Sequence, residues 1–315
     1  MSEVLLWWVT VQLIGIIALP LTFLLFSNLS DRGFPFSKPL GILILCYAFW
    51  LLGMFRILPN SRGSIIALLT LFLLASLFVF SRCRDDLVAF VRANKKTLLI
   101  EEGLFLAAFA FWAFVRSYNP EIRATEQPMD FGFMNAIFRS EYFPPNDPWL
   151  AGHSISYYYF GYLIMATLAK LSGIATSVAY NLSLSMLFGL IAVGAFSIVF
   201  NLVASRADSE SIETAAASEP PRQRGSSKGE REQSKTARKT AIAPIAAGLL
   251  GSLMVVGIGN LEGALEILRA HNLGTLELWR WVEIKTRSSL TSALSGIPLR
   301  TGGGGARPES STRWS

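Results

Sequence analysis

Apolar residues in this chain fall in long runs, near 4–26, 40–58, 64–80, 98–115, 156–171, 179–203 and 241–259, separated by short polar intervals. A bilayer core about 30 Å thick takes a helix of about 20 mostly apolar residues, because lipid offers backbone N–H and C=O groups no partner and a helix satisfies them internally. The pattern therefore predicts an all-α, polytopic transmembrane helix bundle of about seven spans. It divides the chain into a four-span region at 1–115, a polar loop at 116–155 and a two-span hairpin at 156–203. A linker at 204–240, a further membrane segment at 241–270 and a polar tail at 271–315 complete it.

The 116–155 loop carries its own pattern. Phe131, Met134 and Phe138, with Phe133 and Ile137 beside them, form one broad apolar face at helical spacing, and Pro128 suits a first turn. A short helix lying on the membrane surface follows, with Asp130 near the positive end of its dipole and Glu126 four residues earlier. Two neighbouring carboxylates suit general base catalysis or the handling of a divalent cation or diphosphate, since one can stay ionised while its neighbour shifts. A helix-terminal acid beside a solvated loop charge has the same spacing. Further on, Pro144, Pro145 and Pro148 impose a stiff path that presents Asp147 and Trp149. His153 stands where the loop meets lipid and offers a donor to a phosphate. Tyr157, Tyr158, Tyr159 and Tyr162 crowd the predicted start of the next helix, capped by Ser154 or Ser156, so at least one ring faces inward and its hydroxyl needs a partner.

Composition agrees with the pattern: 52% of residues are hydrophobic and 16% charged, against roughly a quarter charged in soluble domains. The net charge of +6 does not imply nucleic acid, because the basic residues lie in loops beside spans and suit anionic lipid headgroups. Arg82, Arg84, Arg92, Lys95 and Lys96 form the densest basic cluster in a short loop, so the positive-inside rule places them in the cytoplasm and parity places the 116–154 loop outside. Parity also places 205–240 outside, despite eight basic residues there against six acidic ones. That interval is poor in aromatics and reads as a disordered linker. Met1-Ser2-Glu3 lacks a basic start and no cleavage site follows, so the first run reads as a retained span. Cys46 and Cys83 are too few for a disulfide framework and suit packing.

The residues Glu126, Met129-Asp130-Phe131, Pro144 to Trp149, Gly152 and Tyr157-Tyr158-Tyr159-Phe160-Gly161 resemble the YYY-domain family of prokaryotic membrane proteins, a largely uncharacterised group. That family is similar to the GT-C superfamily of glycosyltransferases. The resemblance implies an inverting transfer of a sugar from a polyprenyl-phosphate donor to an acceptor hydroxyl at the outer face of the cell membrane. It implies Glu126 or Asp130 as the base, although their spacing is E-x-x-x-D where GT-C enzymes carry D-x-D. Arg123, Asp147, Trp149, His153, Tyr157, Tyr158 and Tyr159 would bind substrate. It also implies a longer chain, so that the Gly run in the tail reads as a truncation or frame shift. The alternative is a non-catalytic scaffold or a lipid or solute transport protein, which the scarcity of ionisable residues in the predicted spans disfavours.

Overall fold

A computed structural model describes residues 2–123, 126–217 and 243–258, with side chains described as far as Arg206 in the second stretch. Its helices are α1 (Ser2–Leu25), α2 (Ser37–Met54), α3 (Arg62–Tyr118), α4 (Gln127–Arg139), α5 (Phe160–Ser172), α6 (Thr176–Ala217) and α7 (Ala243–Val256), with a 3-10 turn at Phe34–Phe36 before α2. No strand is present among the described residues. Among the described residues four helices are long and apolar enough to cross a membrane: Ser2–Leu25, Phe34–Met54, Arg62–Tyr118 and Thr176–Arg206. The all-α membrane bundle expected from the hydrophobic pattern is thus what forms.

The predicted third and fourth spans belong to one helix. α3 contains 57 residues, which laid straight would reach about 85 Å. Yet Arg62 lies against Gly173, and Arg116 bonds Asn181 only eight residues further along the chain. The helical path must therefore turn back on itself. Its lower part, Cys83, Leu87 and Phe90, packs on Phe23 near the end of α1. The intervening basic residues are helical and exposed, where the sequence predicted a loop.

Contacts sort the connections to two ends of the bundle. At one end Asn60 N–H donates to Glu141 O at 2.7 Å, Lys170 Nζ donates to Asn60 O at 2.6 Å, and Arg116 joins Asn181. At the other, Asn201 on α6 accepts from Ser30 N–H at 2.7 Å, beside the connection from α1 to α2. Phe23 and Phe90 bring the basic stretch of α3 to that second end.

The predicted span at 156–171 is the main correction. Helix α5 starts only at Phe160 and has 13 residues, about 20 Å. Phe160 packs on Tyr47 and Trp50 near the end of α2, while Lys170 reaches Asn60, so both termini of α5 stay at the first end. Gly173, at φ 76°, then closes α5 in the left-handed conformation that glycine adopts without strain. With one crossing fewer, α6 ends on the side of the basic cluster, which suits the basic character of 205–240 under the positive-inside rule. Helix α6 continues to Ala217, so the part of the expected linker before 218 is helical. The rest of that linker, and the tail with Trp279 and Trp281, lie outside the described residues.

The core joins Trp7 and Ile14 of α1, Phe49 of α2, Ile65 and Phe105 of α3, Met134 of α4 and Leu163 of α5. Cys46 and Cys83 are buried and free, consistent with packing. On α7, a side chain at Gly248 or Gly251 would collide with Phe196 or Val199 of α6, so this glycine pair sets how closely the two helices approach. Ionisable side chains are nonetheless buried among the described residues: Asp31, Lys38 and Glu101, of which Glu101 alone lies in a predicted span. Asp31 and Lys38 read as loop residues because they precede the apolar run of α2, but the connection folds them inward.

Candidate functional site

Helix α4 forms where its apolar spacing predicted. Phe133, Met134 and Ile137 are its buried residues, and they face protein, packing in the core with Leu163, Ala166 and Tyr180. Thr176 O–H donates to Asn135 Oδ1 at 2.8 Å and ties the start of α6 to α4. This seating turns Asp130 toward two tyrosines. Tyr162 of α5 donates to Oδ1 at 2.5 Å, and Tyr180 of α6 lies 3.5 Å from Oδ2. The long second contact leaves Oδ2 with lone pairs free for another donor.

Glu126 precedes α4, makes no capping bond and is exposed. Asp130 N–H donates to Glu126 O at 3.0 Å, so the two carboxylates stand one helical turn apart. Among the described residues no group of three or more His, Cys, Asp or Glu could hold a metal ion. A divalent cation at this pair would need its remaining oxygens from substrate or water.

The tyrosine triplet does not open the helix as predicted. Tyr157, Tyr158 and Tyr159 precede α5 in non-helical backbone, and neither Ser154 nor Ser156 caps it. Tyr157 and Tyr158 lie close together, with ring centres 3.9 Å apart and planes tilted by 30°, and Tyr157 O–H donates to Tyr158 Oη at 2.6 Å. That hydrogen bond, with the nearby Glu126 and Asp130 charges adding to it, pushes the Tyr157 hydroxyl up to about 12. It is a protonated donor at neutral pH. Tyr159 turns the other way and accepts from Trp50 Nε1 at 2.9 Å. These rings, with Tyr47 and Phe160, line an open cleft of about 370 Å³.

Phe133 gathers the site from beneath. Its ring lies 5.2 Å from Trp149, 5.6 Å from Tyr157 and 5.8 Å from Tyr162. Gly132 leaves the space that Trp149 occupies, since a Cβ there would fall 2.6 Å from the indole.

The rest of the loop is anchored at both ends. Phe143 packs edge-on against Phe49, with its ring where a side chain at Gly53 would project, and Ile155 is buried too. Between them, Asp147 N–H donates to His153 O at 2.8 Å and Ile155 N–H to Pro145 O at 3.0 Å. Asp147 does not present its charge outward: Oδ1 accepts the amides of Trp149 and Leu150 at 2.8 and 2.9 Å. His153 enters through its backbone and its side chain is exposed. Arg123 is exposed and pairs with Glu121 at 3.3 Å. Asp147→Asn keeps the accepting oxygen and should leave the loop intact, whereas Asp147→Ala should lose about 1 kcal/mol of local stability. Limited proteolysis should then cut the loop about fivefold faster in the alanine variant alone; equal rates in both would assign the charge another role.

Arg116 escaped the sequence reading. Its guanidinium donates to Asn181 Oδ1 through Nε at 2.8 Å and Nη2 at 2.5 Å, and its charge acts on Tyr180. Asn181 Nδ2 in turn donates to Pro120 O at 3.1 Å. Arg116, Ser177 and Asn181 border a cavity of about 300 Å³ next to Tyr180. Only its place at the junction of span and loop distinguished Arg116 in the sequence.

The family model described as uncharacterized membrane protein (DUF2298) matches residues 44–314, and the chain belongs to that family. No curated protein and no solved structure matches it.

Proposed function

We propose that this member of the DUF2298 family is a membrane glycosyltransferase that moves a hexosyl group from a polyprenyl-phosphate donor to an acceptor hydroxyl at the external membrane face. The observation that carries this reading is Asp130, oriented by Tyr162 and Tyr180 with Oδ2 available, beside an aromatic cleft at the end of the bundle that holds the polar loop. The rings of Tyr47, Trp50 and Tyr158 suit both a sugar face and an isoprenoid chain. The likeness of the motif loop to GT-C enzymes points the same way.

The acceptor O–H gives its proton to Asp130 Oδ2 as its oxygen bonds the anomeric carbon. The bond from that carbon to the phosphate oxygen breaks, and its electron pair leaves on the phosphate. One displacement inverts the anomeric centre. Charge gathers on the departing phosphate, where the Tyr158 hydroxyl, which accepts from Tyr157 and keeps its own proton to donate, and the Arg116 guanidinium supply donors and positive potential. Glu126, exposed and unbonded, is the second candidate for the base.

The test supplies membranes containing the full chain with a panel of polyprenyl-phosphate hexoses of defined anomer and a hydroxyl acceptor. Transfer with inversion, read by NMR of the product, is the expected result. Retention would require a glycosyl-enzyme intermediate and sink the single displacement. Donor binding without transfer would support the scaffold or transport reading, which the aromatic cleft also suits.

A further inference from the structure

A second group of ionisable side chains sits inside the bundle, far from the loop. Glu102 lies fourteen residues before Arg116 on α3, about 21 Å along the helix. Lys38 Nζ bonds Glu102 Oε2 at 2.5 Å, and Gln12 Nε2 donates to Glu102 Oε1. Asp31, 1% exposed, has both oxygens occupied: Oδ1 accepts Gly33 N–H at 2.8 Å and Oδ2 accepts Ser197 O–H at 2.5 Å. Glu101 is different. It is 0% exposed, and among the described residues neither carboxyl oxygen has a hydrogen-bond partner.

Charge decides what Glu101 must be. With every group ionised, three carboxylates face one ammonium, a surplus of two negative charges in a low-dielectric interior. Lys38 is already paired with Glu102, and the Asp31 carboxylate, which lies close enough to act on Glu101, repels rather than compensates. The other charged groups lie outward: the Arg32 guanidinium covers the Phe23 ring at 4.9 Å, and Lys95 and Lys96 are exposed. From α6, among the described residues, the cluster meets the neutral Ser197 and Asn201. A buried carboxylate with no donor and no free cation is neutralised, because desolvation far exceeds the cost of protonation at neutral pH.

We propose that Glu101 is a proton-binding site within the membrane, a carboxylic acid whose O–H is directed at Asp31, so that the two carboxyls share one proton. A metal cation fits less well, since Asp31 is committed to Gly33 and Ser197, and no group of three or more acidic, His or Cys side chains is assembled among the described residues. One proton needs one acceptor. Protonation leaves Glu101 neutral, Lys38 and Glu102 balanced, and Asp31 the single residual anion, held by two donors. Glu102, whose side chain is 29% exposed, is the member through which the group meets its surroundings. The site stands whether or not the loop transfers sugar.

Infrared difference spectroscopy of the full chain in lipid nanodiscs tests this directly. At neutral pH the exposed carboxyls are ionised, so a protonated-carboxyl C=O band that shifts in D₂O is expected from the wild type. It should vanish in Glu101→Gln and move in Asp31→Asn, whose amide accepts the proton differently. No such band in the wild type, or an unchanged band in Glu101→Gln, overturns the proposal. Loss of the wild-type band on adding sodium would also overturn it, in favour of a cation site. If Glu101→Gln fails to fold, the wild-type band and its response to Asp31→Asn decide the matter.

Discussion

Asp130→Asn is expected to lower sugar transfer by about 100-fold to 10,000-fold, the usual worth of a positioned general base. The amide has the carboxylate's shape, and its oxygen can still accept from Tyr162, so α4 should keep its seat on α5. What disappears is the capacity of Oδ2 to take a proton. Donor binding should change little, because the cleft of Tyr47, Trp50, Tyr158 and Tyr159 is untouched. Tyr162→Phe serves as the comparison: it frees Oδ1 without removing the base, and should cost far less in rate. Initial rates in membranes, with donor affinity measured separately, distinguish the cases. A loss confined to Glu126→Gln would move the base to that residue. Full activity in both variants would end the mechanism.

Lys38→Met should destabilise the bundle by about 3–5 kcal/mol, the typical penalty for removing one partner of a buried ion pair. Glu102 keeps 29% of its side chain accessible, which draws the expectation to the lower end of that range. The methionine fills the space along Phe105, whose ring lies 4.8 Å from Lys38 Nζ, so the loss comes from charge and not from a cavity. Thermal inactivation of the purified chain in detergent should show the drop, and Lys38→Met with Glu102→Gln should recover most of it. A single variant as stable as the wild type would mean that water already compensates Glu102.

Hydrophobic runs made the bundle legible because lipid imposes one rule on every backbone group, and α4 was legible because Phe133, Met134 and Ile137 repeat at helical spacing. Chain reversals were not. Nothing in the composition of 156–171 shows that Tyr159 is tied to Trp50 by a hydrogen bond, that Tyr157 and Tyr158 are paired with each other, and that the helix starts only at Phe160. Nor does a one-dimensional pattern show that α3 stays helical through its turn. The carboxylate pair was readable from spacing, but its tyrosine partners come from two later helices. Asp147 shows a related limit: an acid before Pro148 looks displayed in the sequence, and only the fold shows that Oδ1 accepts the amides of Trp149 and Leu150. Asp31 and Lys38 look like loop charges in the sequence because their burial depends on Ser197, Asn201 and Glu102, between 64 and 170 residues away.

Phe143 and Ile155 act as two rivets, and the strip from Asn146 to Ser154 hangs between them with nearly every residue exposed. The native cysteines, Cys46 and Cys83, are both buried. A single cysteine substituted for Pro148 or Ala151 would therefore be the one thiol within reach of a membrane-impermeant maleimide. That strip is a built-in reporter position, from which intact cells can reveal which side of the membrane the loop faces without any knowledge of its substrate.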